Sequence, residues 1–271
     1  GIRDRRTSRG LGGVYKRQRT QRLAEMLRRT LRAAMYDRRS RCVATETLIC
    51  ETHEPLVFRS LCSPNAQVRA NAIRLLSECF PLVRERKANA SLEEWKRQGG
   101  DLLRRQADAM VHGLQDPVPE CRAEALRCLS VVLAQHWHQM PRQGVKEMVN
   151  AALDLCQDAS AAAVRAAAVR SLASLADCTA AHDACAKVLP KALRGAVTDS
   201  SPRVRQAALD ALIKVSRSEA LSKVLPWHEC CEVEVLVSLL AQDRDAGCVS
   251  RLARLLLDSY VPSGEQASAM A

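Results

Sequence analysis

Aromatic side chains are scarce, at 3% of 271 residues. Ala, Leu, Arg and Val abound instead, and these residue types favour helices over strands because most of them lose little freedom there. No apolar run approaches the ~20 residues that a membrane-crossing helix requires. The opening stretch lacks the apolar core of a secretory signal. An initiating Met is absent too; the chain starts at Gly1 and reads as a fragment of a longer protein. GxSxG, HExxH, a Gly-rich phosphate loop and a spaced carboxylate pair do not occur in a credible context. These absences argue against an enzyme, against a cofactor and against a small-molecule substrate.

Twelve cysteines are present, but no CxxC pair and no even framework, which favours a reducing compartment. Cys62, Cys79, Cys121, Cys128 and Cys156 fall at apolar positions of helical patterns, where a thiol acts as a small hydrophobe. Cys178, His182 and Cys185 share one helical face, and "HECC" holds His228, Cys230 and Cys231. Zinc usually takes four ligands in two close pairs. Neither group offers a fourth, so no metal site is expected.

The net charge of +11 is concentrated at one end. Residues 1–41 hold 14 Lys/Arg against Asp4, Glu25 and Asp37, while the remaining 27 bases and 27 acids cancel. This basic leader offers Lys16, Arg17, Arg19, Arg22, Arg28 and Arg29 as candidate phosphate-contacting residues, because cations bind phosphates through counterion release. It reads equally as a solvated arm, a localisation signal or the poorly ordered end of a truncated fragment. Its Arg-rich, acid-poor character also resembles a transit peptide.

A motif recurs in the neutral body: "SPNAQVRANAIRLL", "DPVPECRAEALRCL", "ASAAAVRAAAVRSL" and "SPRVRQAALDAL". Aligned on Val68, Cys121, Val164, Val204 and Val249, the fourth residue on is Ala72, Ala125, Ala168, Ala208 and Ala253. The eighth is Leu76, Leu129, Leu172, Leu212 and Leu257, and the eleventh is Cys79, Val132, Leu175, Val215 and Tyr260. Steps of 4, 4 and 3 trace one stripe of an α-helix, with small Ala allowing close helix packing. A polar turn precedes each stripe, and another apolar stretch precedes each turn. The aligned positions lie 53, 43, 40 and 45 residues apart. Two-helix units with periods in the forties predict an all-α HEAT-repeat α-solenoid, a superhelical stack of antiparallel helix pairs.

The expected organisation is a basic leader over 1–41, about five helix pairs over 42–264 and a tail over 265–271. A charged insert near 84–100, containing "SLEEWK", reads as a loop with at most a helical turn. Trp95 and Trp227 lie between repeats, where closing a helix pair is the commoner use, and His136 and His138 are expected to end a helix.

Arg69, Arg122, Arg165 and Arg205 follow the aligned position in four motifs, and Ser250 stands there in the fifth. They could form a phosphate-reading stripe. The preferred reading is a structural ladder in which each Arg binds a turn carboxylate of an adjoining unit, such as Asp116, Asp158 or Asp199. Acid and base recur together, and a charge-assisted pair cross-links stacked repeats.

Beyond HEAT geometry, "EPLVFRSLCSPNAQVRANAIRLLSECFPL", "SPRVRQAALDALIKVSRSEALSKVL" and "VSRLARLLLDSYVPSGEQ" resemble the early repeats of the G2-subunit family of condensin II. The resemblance runs in order over about residues 41–264; "HEPLVFRSL" and "LLLDSYVPS" are its specific parts. The leader, the 84–100 insert and the Ala-rich "DASAAAVRAAAVRSLASLAD" depart from the family pattern. The resemblance implies a non-catalytic scaffold in the nucleus, on chromosomes. Its implied partners are a kleisin subunit, through it an ATPase pair of the structural-maintenance-of-chromosomes (SMC) type, and DNA or chromatin in mitotic chromosome condensation. No membrane is implied. The alternative is a generic HEAT/armadillo scaffold of nuclear-transport or phosphatase type.

Overall fold

The first three positions of the 4-4-3 stripe lie on an α-helix in each repeat. In the computed structural model, which describes residues 43–82, 89 and 91–260 together with Arg22, Glu25, Met26 and Arg29, helices and turns account for the architecture and no strand occurs among these residues. The first helix, α1 (Val43–Leu61), precedes α2 (Ala66–Glu78), whose first turn is capped by Asn65 accepting from Gln67 N at 2.9 Å. Then come α3 (Leu92–Leu114), α4 (Pro119–His136), α5 (Arg142–Leu155), α6 (Ala162–Ala173), α7 (His182–Ala196) and α8 (Pro202–Arg217). Two four-residue helices, α9 (Glu219–Ser222) and α10 (Trp227–Cys230), lead to α11 (Val233–Gln242) and α12 (Ala246–Tyr260).

The second members of each pair, α2, α4, α6, α8 and α12, pack on one another in sequence and form a continuous layer. The first members, α1, α3, α5, α7 and α11, cover that layer and touch each other more sparsely. One apolar core runs unbroken from Val57 to Leu255. The stripe residues of α2, α4, α6 and α8 line it: Ala72, Leu76, Ala125, Leu129, Ala168, Leu172, Ala208 and Leu212 are all at most 2% exposed. This is a HEAT/armadillo-type stack, with Ala at the crossing points where two helix axes approach.

Four details differ from the expectation. In the fifth motif the buried stripe is Cys248, Leu252 and Leu255, one residue earlier than Val249 and Ala253 and two earlier than Leu257; Leu257 is 58% exposed. The thiol contacts fix this register, since Cys248 Sγ meets Pro202 O as Cys121 Sγ meets Ala66 O. Val68 is 39% exposed, and among the described residues no earlier second helix covers α2 there. Cys62 is exposed, since it lies in the turn after α1 and not in the stripe.

The fourth difference concerns residues 92–100, expected within a loop-like insert, which form the opening turns of α3. Ser91 Oγ caps them by accepting from Glu94 N at 3.1 Å, and Glu93 and Glu94 face the positive end of the helix dipole. The remainder of that expected insert, 84–88 and Ala90, lies outside the described residues apart from Asn89.

Buried Gln106 joins α3 to the chain leaving α2. Its Oε1 accepts from Leu82 N at 2.8 Å and its Nε2 donates to Leu82 O and Leu102 O. Trp227 packs against the core between α8 and α11, and α4 ends at His136, followed by a 3-10 turn over Trp137–Gln139.

Glycines in α3 probe the packing. A Cβ at Gly113 would stand 3.1 Å from Ile73 Cδ1 and 3.3 Å from Ala125 Cβ, whereas Gly99 and Gly100 have nothing within 4 Å. The double variant Gly99→Ala/Gly100→Ala should raise unfolding free energy by about 1–2 kcal/mol through helix propensity. Gly113→Ala should lower it, and urea denaturation checks both signs.

Candidate functional site

The recurrent Arg and Asp side chains meet at the start of each second helix. Arg69 Nε and Nη2 donate to Asp116 Oδ2 and Oδ1 at 2.6 and 2.9 Å. Arg122 Nε and Nη2 donate to Asp158 Oδ2 at 3.0 and 2.7 Å. Arg165 Nε and Nη2 reach Asp199 at 2.6 and 2.9 Å, and both corresponding nitrogens of Arg205 reach Asp243 at 2.7 Å. The third nitrogen of each guanidinium turns back onto its own repeat. Nη1 of Arg69, Arg122, Arg165 and Arg205 donates to the backbone carbonyls of Ser63, Asp116, Asp158 and Asp199 at 2.8–2.9 Å.

Each carboxylate also serves its own turn. Oδ1 of Asp116, Asp158, Asp199 and Asp243 accepts from the backbone N–H of Val118, Ser160, Ser201 and Asp245 at 2.8–2.9 Å. This side-chain turn prepares the start of the following helix. The result is one relay of alternating charge through four inter-repeat contacts, in which the Asp side chains are 2–12% exposed and the Arg side chains 12–17%. Asp243 stands outside the expected ladder, although it opens the turn "DRDAGC" six residues before Val249. Val249, with no hydrogen-bonding side chain, occupies the next guanidinium position, so the relay ends there.

Electrostatics follow the geometry. Hydrogen bonding from Arg69, Arg165 and Arg205 holds Asp116, Asp199 and Asp243 below the usual carboxylate range. At Asp158 burial pushes upward, and the bonds from Ser160 and Arg122 outweigh it. All three nitrogens of each of these guanidiniums bind protein partners, so the Arg side chains are engaged within the stack.

A second set of charges lies one helical turn further on. Glu124 on α4, buried, is held by Arg74 from α2 and by Arg127 from its own helix. Between α8 and α12 the polarity is reversed, with Arg251 Nε donating to Asp210 Oδ1 at 2.6 Å. Neither pair shows in the stripe pattern, because the partners lie on different helices and the residue types at their positions change from repeat to repeat.

Of the leader candidates, Arg22 and Arg29 are exposed and helical, and Arg29 Nε meets Glu25 Oε1 at 3.2 Å. Lys16, Arg17, Arg19 and Arg28 lie outside the described residues. His182 is buried with Nε2 3.2 Å from Ala176 O. Among the described residues no group of three or more His, Cys, Asp or Glu is placed to hold a metal ion, and no helix is long and apolar enough to cross a membrane. Burial pushes the thiols of Cys128 and Cys185 up to about 11 and those of Cys156, Cys230 and Cys248 to about 12, so they stay protonated.

Stacked helix pairs tied by such a relay define the class: a HEAT/armadillo-type helical-repeat protein. The chain is similar to the G2 subunit of condensin II over about four-fifths of its length. It is 28% identical over 222 residues to "Condensin-2 complex subunit G2" of Xenopus laevis, covering 82% of this chain and 18% of that protein. The Danio rerio and Homo sapiens subunits are each 27% identical over 218 residues, covering 80% of this chain and 18% of theirs. The chain thus spans about 18% of the length of these relatives. A family model described as "Condensin II non structural maintenance of chromosomes subunit" matches residues 13–84. Among solved structures, a designed armadillo repeat protein in complex with the peptide (KR)4 aligns at TM-score 0.49 and 15% identity, over 86% of this chain and 91% of that one. Another designed armadillo repeat protein aligns at 0.47 and 18%, over 79% and 85%.

Breaking one rung should show in stability and in its pH dependence. Arg165→Ala leaves Asp199 without its guanidinium and should cost about 2 kcal/mol; Arg165→Lys should recover only part, since an ammonium cannot make the parallel pair. A carboxylate whose folded pKa is depressed contributes stability above about pH 4, and this is lost as pH falls through the folded value. Urea midpoints should therefore fall on acidification below about pH 4, with a shallower slope in Asp199→Asn.

Proposed function

We propose that this chain is a non-catalytic HEAT-repeat scaffold of a condensin II-type complex. In this reading it binds the kleisin subunit and, through it, the SMC-type ATPase pair. It contributes to DNA engagement during mitotic chromosome condensation, in the nucleus and on chromosomes. The observation that carries the reading is the similarity to G2 subunits over about 80% of the chain. The architecture is compatible with it, since a repeat stack presents an extended surface to a partner while its recurrent charges are spent on internal cohesion. Any ATP hydrolysis then belongs to the partners.

Affinity purification of the chain from mitotic cells should recover a kleisin and the ATPase pair; their absence sinks the condensin assignment. The DNA contribution is assigned to the basic leader. Deleting residues 1–41 should weaken duplex binding and flatten the dependence of log affinity on log salt, because fewer counterions are released. An unchanged slope removes the leader from the DNA-binding role.

A further inference from the structure

The charges one turn beyond the relay form a column of their own. Five residues after each relay position stand Arg74, Arg127, Arg170, Asp210 and Arg254. Facing them on the next second helix, two residues after its relay position, are Glu124, Ala167, Ala207 and Arg251. Where an acid and a base face each other, an ion pair forms: Arg74 with Glu124, and Asp210 with Arg251. At the two central interfaces the facing residue is a buried Ala, so Arg127 and Arg170 have no carboxylate across from them.

Arg127 folds back to share Glu124 with Arg74 and keeps its side chain 56% exposed. Arg170 is exposed and has no carboxylate partner among the described residues; neither do Arg203 and Arg254, both exposed. Partial burial of Arg170, together with the nearby charges of Arg203 and Arg251, lowers its pKa against the opposing pull of Asp210, as expected where cations crowd. Apolar surface is interleaved: Val131, 45% exposed, lies one turn after Arg127, and Leu257, 58% exposed, lies close after Arg254.

We propose that this outer face of the second-helix layer, centred on Arg127, Arg170, Arg203 and Arg254, binds an extended acidic segment of a partner polypeptide. Charge complementarity sets the class of ligand: Arg170, Arg203 and Arg254 have no carboxylate partner among the described residues, and Arg127, though it shares Glu124, keeps its side chain 56% exposed, so the strip is suited to carboxylates. Its interruptions set the kind of chain. Asp210 stands in the column and would repel a continuous line of phosphates, whereas a peptide can place a neutral residue there. Val131 and Leu257 offer contact to apolar side chains, which a phosphodiester backbone does not carry. Packed helix axes are about 8–10 Å apart, and a polyproline II segment advances about 3.1 Å per residue with three residues per turn, so acids at every third position share one side and match successive helices. The proposal does not rest on the condensin reading, and failure to recover a kleisin leaves it standing.

The test is fluorescence anisotropy on the full chain, with a labelled peptide carrying Glu at every third position and Leu and Ser between. A peptide with Lys replacing Glu and a duplex DNA serve as comparators. Saturable binding of the Glu peptide alone is expected, weakened about tenfold or more in Arg127→Gln/Arg170→Gln. Arg170→Lys should keep most of the affinity, and thermal melting of each variant checks that the stack is intact. No saturable binding of the Glu peptide overturns the proposal. So does equal affinity in an intact Gln double variant, or a loss in that variant confined to the duplex.

Discussion

A single carboxylate at the start of α4, α6, α8 and α12 fixes both the local turn and the neighbouring repeat. Oδ1 accepts the backbone N–H that shapes the turn, and the carboxylate receives a guanidinium from the repeat before, through both oxygens at Asp116, Asp199 and Asp243 and through Oδ2 alone at Asp158. That guanidinium is in turn anchored to its own turn's carbonyl. A repeat whose turn is misformed therefore also loses its grip on its neighbour. Local folding and stacking become one event, as a quasi-one-dimensional array requires if its units are to act together.

The apolar core sets where the relay can exist. Ala at the crossing points brings second helices close enough for an Arg on one to reach an Asp before the next. The continuous core from Val57 to Leu255 supplies the drive for association, while the charges set register. Buried ion pairs add little net stability over an apolar replacement, yet removing one partner is costly. Their contribution here is to penalise slipped stacking, since a slipped helix would strand both charges.

Much of this architecture is legible in the residues themselves. Ala and Leu at steps of four mark the second helices, and acids recur beside the bases that they meet. Other features are hidden for identifiable reasons. Val249, Ala253 and Leu257 form an apolar stripe as regular as Cys248, Leu252 and Leu255, so periodicity alone does not choose between them; the spacing from Asp243 does. The start of α3 is obscured by Gly99, Gly100 and a run of charges, although Ser91 followed by Glu94 is a capping pattern. Glu124 looks like an ordinary surface acid until Arg74 is brought over it from α2. Buried Gln106 likewise shows its role only when Leu82 folds back upon it.

The two layers are unequal in a way that bears on mechanics. Second helices are packed in succession and tied at their N-terminal ends by the relay; first helices touch one another sparsely. Under load such a beam has an inextensible edge and a compliant one. Bending is taken up by spreading or closing the first-helix side, with little change in length along the relay. The stack is thus a leaf spring whose stiff seam is electrostatic, and salt or acid would soften it along that seam before loosening its core.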